Sequence, residues 1–141
     1  MTPSDLLPHR APMLLLDAIV AHDAHRVVAE LTIGEDTLFL EPGGVPSYVG
    51  LEYMAQACGA YAGATGRAAG EPVKIGFLLG TRDFKATTAF FRRGERLTVT
   101  ATQLYNGDGM AAFDCRIDIA GQSVATARLA VYQPQESPID V

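Results

Sequence analysis

The segment at 45–63, VPSYVGLEYMAQACGAYAG, is apolar and built mostly of small residues, yet it holds one carboxylate, Glu52, with no cation along the same run. An isolated carboxylate in such surroundings is suited to giving or taking a proton. The structural alternative is an acid that complements the positive end of a helix dipole. Gln56 follows four residues later, on the same face if the run is helical, where it can hydrogen-bond main chain or orient Glu52. Of the three histidines, His22 and His25 fall at a strand connection and read as solvated, whereas His9, in LPHR, is either a structural residue before the first strand or a second proton-transfer group. Cys58 and Cys115 form no CxxC pair and have no His at ligand spacing, so they read as two reduced, buried thiols rather than a disulfide or metal site. Tyr53 and Tyr61 read as packing residues, and PGG at 42–44 is a turn, since no GxxxxGK or GxGxxG pattern surrounds it.

Elements must hold these groups in place. MLLLDAIV at 13–20 and the alternating run 27–33 read as two strands. A loop rich in Pro and Gly ends at Ser47, which is expected to N-cap a helix over 48–66, about 27 Å long at 1.5 Å per residue. That helix is apolar nearly all round, so it should be enclosed, and its glycines should let another backbone approach closely. The remainder reads as four or five strands: two short segments in VKIGFLLGTRDFKATT, then 96–105, 111–119 and 124–132, with turns at 105–109 and 120–123. An antiparallel sheet wrapped around one long central helix, α+β in class and a single domain over 1–141, satisfies this order, because one sheet face needs covering and one helix is available.

Composition narrows the function classes. The chain has 141 residues, a net charge of −5 and no low-complexity tract. The acidic balance argues against nucleic acid as a partner. Glu52, Gln56 and the many Gly and Ala residues make 48–66 too polar to span a membrane. The first residues lack a secretory pattern, so a cytoplasmic protein is expected. Six of the eleven basic residues, Lys74, Arg82, Lys85, Arg92, Arg93 and Arg96, nevertheless fall within one stretch.

Two quoted motifs carry a family resemblance. LLPHRAPMLLLDAIV resembles the opening LPHRxPxLLxD of the β-hydroxyacyl-acyl-carrier-protein dehydratases, and VPSYVGLEYMAQACG resembles their helix motif xPGxxxxEAMAQxxG. GFLLGTRDFKATTAFFRRGERLTV is similar to the family segment in which a D-x-x-x-F strand precedes P-G-D-x-L, and the wording with a terminal VYQP looks closest to the subfamily associated with aryl polyene pigments. The resemblance implies a hotdog fold and a dimer whose sheets join edge to edge, a homodimer or higher even oligomer, with a heterodimer open. It implies active sites at the subunit interface and no metal or redox cofactor. Glu52 matches the catalytic carboxylate, the Ser47 and Tyr48 amides match the groups that polarise the thioester carbonyl, and Gln56 and Gly59 would line the substrate. The family's loop His, fourteen residues before the carboxylate, is replaced by Leu38, which leaves His9 as the second catalytic candidate. Arg82, Lys85, Arg92 and Arg93 would receive an acidic acyl carrier protein. The reaction so implied is elimination of water from a 3-hydroxyacyl thioester. A hotdog thioesterase using Glu52, and a non-catalytic acyl-binding or partner subunit, remain open at this point.

Overall fold

The computed structural model describes residues 2–7, 9–10, 13–70 and 77–132. Three long strands form the centre of the sheet, β6 (Arg96–Gly107), β7 (Met110–Ile119) and β8 (Gln122–Tyr132), each antiparallel to the next. Their period-two pattern puts Leu97, Val99, Ala101, Phe113, Cys115, Ile117, Ala125, Ala127 and Leu129 into the core, while Asp114, Arg116, Thr126 and Arg128 face outward. Both hairpins close through two consecutive residues of positive φ, Asp108–Gly109 and Ala120–Gly121, the backbone that a twisted two-residue turn requires. β1 (Ala18–His22) and β2 (Arg26–Thr32) extend the sheet on one side and β4 (Phe77–Ala86) on the other, in the order β1-β2-β6-β7-β8-β4.

The chain therefore leaves the sheet at β2 and returns at the opposite edge. The long helix α2 (Gly50–Ala68) makes that crossing, packing on β2, β6, β7 and β8 across the inner face. This is the hotdog arrangement. A short helix α1 (Pro3–Leu6) packs on α2 from the other side. No helix among the described residues is long and apolar enough to cross a membrane.

Several local expectations change. The first strand begins at Ala18 rather than residue 13, because the main chain of Met13 and Leu15 is hydrogen-bonded to the Gln56 side chain and not to a neighbouring strand. β4 is one strand bent by an irregularity between Arg82 and Lys85, with Asp83 at φ 56, rather than two segments; residues 73–76 of that stretch, and Lys74 with them, lie outside the described residues. A two-residue ladder of β3 (Val45–Pro46) with β5 (Phe90–Phe91) is too short to show as alternation. Gly44 makes it possible: its φ is 122, and any Cβ there would collide with the Phe91 carbonyl.

Ser47 does not cap α2. It opens a 3₁₀ turn, Ser47–Val49, that leads into the helix, and its own N–H donates to the Ala89 carbonyl at 2.9 Å. The small ladder thus extends one residue into the helix start and fixes where the helix begins.

Beneath that start lies Tyr53, buried beside Phe91 with ring centroids 6.1 Å apart. Its hydroxyl has no hydrogen-bond partner among the described residues. Burial, with the Asp17 carboxylate adding to it, pushes the phenol from 10.0 up to about 12. The unfolded chain releases this proton above pH 10 while the folded chain holds it to about 12, so the contribution to stability is intact below pH 10 and lost as pH rises toward 12. The loss amounts to about 3 kcal/mol. Tyr53→Phe removes both the orphaned hydroxyl and the titration. Its Tm should equal or exceed that of the wild type at pH 7, and the difference should widen above pH 10; a difference that does not grow with pH would refute the assignment.

Candidate active site

Glu52 occupies the first turn of α2. The helix is not enclosed on all sides. Leu51, Glu52, Ala55, Gly59 and Ala62 recur at helical spacing and are only half-buried, with Tyr48 at the head of the same face 65% exposed. Small residues occur on both faces of this helix, so composition alone could not show which face stays open.

One buried polar side chain stands beside this face. Gln56, 1% exposed, accepts from the Leu15 N–H through Oε1 at 2.9 Å, and its Nε2 donates to the Met13 carbonyl at 2.7 Å and to Glu52 Oε1 at 3.3 Å. It serves main chain and carboxylate rather than lining open space.

Of the two amides expected to polarise a thioester carbonyl, that of Ser47 is engaged by Ala89. That expectation is corrected for Ser47. In a 3₁₀ turn the third residue is the first to find an internal carbonyl, so the Tyr48 N–H is left without a partner among the described residues, four residues before Glu52. Unsatisfied amides at a helix start favour developing negative charge.

The N-terminal segment lies along α2 in the opposite direction. Gly63 accommodates the Leu6 carbonyl, and an added Cβ would collide with it; at Gly59 a Cβ would stand 2.8 Å from Leu7 Cδ2. Gly59 is therefore a saddle for this segment. Asp5 pairs with Arg67 at 3.6 Å, near the far end of the helix. Leu7 at Gly59 and Met13 at Gln56 flank His9 in sequence, and the two contacts on the helix are three residues apart, about 4.5 Å at 1.5 Å per residue. His9 is half-buried, its Nδ1 is shielded from solvent with no partner among the described residues, and no hydrogen bond joins it to Glu52 there.

Leu38 and Leu40 pack against the core, and Phe39 between them is turned outward at φ 70 and 48% exposed. The loop that resembles the family's His-bearing loop thus offers apolar surface. His22, contrary to the solvated reading, is half-buried against Tyr61 with Nε2 3.3 Å from Thr65 Oγ1; His25 is exposed. Cys58 and Cys115 are buried with sulfurs 3.6 Å apart, and burial, reinforced by Cys115, raises the Cys58 thiol, which suits packing and not reactivity.

The basic residues divide between two elements. Arg82 and Lys85 lie on the edge strand β4, whereas Arg92 and Arg93 follow β5, where Arg93 pairs with Glu35 at 3.1 Å and donates to the Pro42 carbonyl. Arg128, outward on β8 and opposite Arg82 in register, is held by Asp114 at 3.0 Å.

Comparison with known proteins places these residues in a lineage. The family model described as ApeP-like, ApeP dehydratase, matches residues 1–140. A 3-hydroxyacyl-[acyl-carrier-protein] dehydratase FabZ from Bartonella quintana (strain Toulouse) is 30% identical over 135 residues, covering 89% of this chain and 83% of its own. Among solved structures, the dehydratase heterocomplex ApeI:P from Xenorhabdus doucetiae matches with a TM-score of 0.93 and 28% identity, over 99% of this chain and 95% of that one. A hypothetical thioesterase from Streptococcus pneumoniae TIGR4 with coenzyme A matches at a TM-score of 0.66 and 16% identity, over 82% of this chain and 84% of that one, a likeness of fold alone.

Proposed function

The chain belongs to the ApeP-like dehydratase family, and from that premise we propose that Glu52 carries water elimination from 3-hydroxyacyl groups held as thioesters on an acyl carrier protein, within fatty acid or polyene-type chain synthesis in the cytoplasm. The observation that carries the reading is the family match over residues 1–140 with Glu52 on the open face of the central helix. In the reaction a base takes the α-proton, the β-carbon to oxygen bond breaks, and the hydroxyl leaves as water with a proton from an acid. The product is the trans-2-enoyl thioester, and no net proton is gained or lost. Glu52 supplies the proton to the departing hydroxyl. The Tyr48 N–H stabilises the enolate oxygen formed when the α-proton leaves.

The family's acceptor for the α-proton is not reproduced, since Leu38 stands where the resembling enzymes have histidine. His9 is the candidate within this chain, because its Nδ1 is unpartnered among the described residues and its segment lies on the Glu52 helix. The other source is a second chain. The β4 edge and the exposed Met13, Phe39 and Tyr48 support a dimer, either of two copies or, as the heterocomplex relative suggests, with a different dehydratase chain. A different chain could bring its own imidazole to Glu52.

The deciding experiment follows both products from a 3-hydroxyacyl chain on its carrier protein, with the protein alone and with a co-expressed homologous subunit. Enoyl thioester supports the dehydratase, release of free acid establishes a thioesterase, and tight binding without either product leaves an acyl-binding subunit. The carrier-docking role of the basic residues has its own test. Reversing Arg82 and Lys85 together should slow turnover on the carrier-bound substrate by roughly tenfold and flatten its salt dependence, with a pantetheine thioester unaffected. Unchanged turnover on both substrates would reduce these residues to a solvated strand edge.

A further inference from the structure

We infer that Gln56 is the positioning residue of this site, one buried amide that fixes the N-terminal segment to the helix and at the same time holds the Glu52 carboxylate. The inference rests on the dehydratase reading in taking Glu52 as the reacting group. Its basis is the chemistry of the two main-chain partners. Leu15 offers an N–H, which only Oε1 can accept, and Met13 offers a carbonyl, which only Nε2 can serve. Both demands require the same orientation of the amide, so the flip is fixed by partners on a different segment from Glu52. The remaining Nε2 hydrogen is then directed to Glu52 Oε1, one helical turn away.

Two consequences follow from a side chain that is 1% exposed. Water cannot replace it at the Leu15 N–H, so loss of that bond would orphan a buried group. The rotamer of Glu52 is also tied to the register of residues 13–15, and through them to the strap seated on Gly59 and Gly63. Gln56 itself reaches main chain and the Glu52 carboxyl. It acts through Glu52.

The test separates the clamp from the contact to Glu52. In Gln56→Glu the neutral acid still accepts from the Leu15 N–H, but its single proton serves either the Met13 carbonyl or the Glu52 carboxylate, so the two bonds that Nε2 makes can no longer be held together; a retained Tm marks the variant in which Met13 keeps the proton and Glu52 has lost its donor. Assayed at mildly acidic pH on carrier-bound 3-hydroxyacyl substrate, Gln56→Glu should retain the wild-type Tm within a few degrees. Its kcat should fall roughly tenfold or more with KM within about twofold, because the transition state and not substrate binding depends on the carboxylate's placement. Gln56→Met, which loses all three bonds, should lower Tm and kcat together. Full kcat in Gln56→Glu with Tm retained would overturn the inference and leave Gln56 a structural clamp. If the wild-type protein shows no dehydration at all, the functional reading fails and this one is decided separately by the Gln56 side-chain amide resonances. Replacing Glu52 with Gln should shift one of the two Nε2 protons and spare the other, and identical spectra would refute the contact.

Discussion

Glu52→Gln is expected to lower the rate of water elimination by roughly 10² to 10⁴, the range of a lost general acid or base, with the fold intact. The amide is close to isosteric with the carboxylate. Its oxygen can still accept from Gln56 Nε2, the partner that Glu52 has at 3.3 Å, so no buried group is newly orphaned. Glu52 is half-buried on the open helix face and packs into no tight cavity, so Tm should stay within a few degrees of the wild type. A parallel His9→Ala measurement apportions the chemistry. A loss of similar size makes His9 the second group, and a small effect assigns the α-proton to Glu52, water or the second chain. Full activity in Glu52→Gln at unaltered stability would remove Glu52 from the mechanism, and with it the proposed site.

The sheet was legible because its signal is local. Leu97, Val99 and Ala101 alternate with threonines, and Phe113, Cys115 and Ile117 with charged residues, and each inward set is buried. The long helix was legible for the same reason, within two residues at either end. What local pattern could not supply was the partner of each polar group. Ser47 has the right side chain for a cap, but its main chain is claimed by Ala89, 42 residues later, across a ladder of two residues. The segment at 13–17 has the composition of a strand, yet its Leu15 N–H and Met13 carbonyl are served by Gln56, 41 and 43 residues away, and the Asp17 N–H is paired with Glu30 of β2.

The candidate site divides in the same way. Glu52 could be singled out because a lone carboxylate is conspicuous among Ala, Gly and Met. A sign of the Gln56 clamp was present too, since a glutamine within an apolar helix must find partners, but the identity of those partners is a tertiary fact. The basic residues near 82–93 are close in sequence but divided between two sheets, because β4 is the edge strand of the large sheet while Arg92 and Arg93 follow the short ladder that anchors the helix start. The glycines of the helix imply close approach without saying by what, and Gly59 is one of them. What approaches it is Leu7, of the same chain.

Gly63→Ala should cost far more than Gly59→Ala, although both replace a glycine in the same helix with its best helix former. Helix propensity alone favours each substitution by about 1 kcal/mol. At Gly59 the new methyl meets Leu7 Cδ2 at 2.8 Å, the far end of a flexible side chain that can rotate away, so the net effect should be near zero or stabilising. At Gly63 the methyl meets the Leu6 carbonyl, which is main chain and cannot move without lifting α1 from the helix. Leu6 and Leu7, 1% and 2% exposed, would then lose their cover. The expected destabilisation is about 2 to 3 kcal/mol, roughly 6 to 12 °C in Tm for a chain of this length. The strap that carries His9 and reaches Gln56 begins at that contact, so turnover should fall further than the folded fraction does, with part of it regained when the residue at position 6 is shortened to relieve the crowding. Equal Tm values for the two alanine variants would mean that α1 does not sit on Gly63 in solution, and the route by which the N-terminal segment positions the site would have to be abandoned.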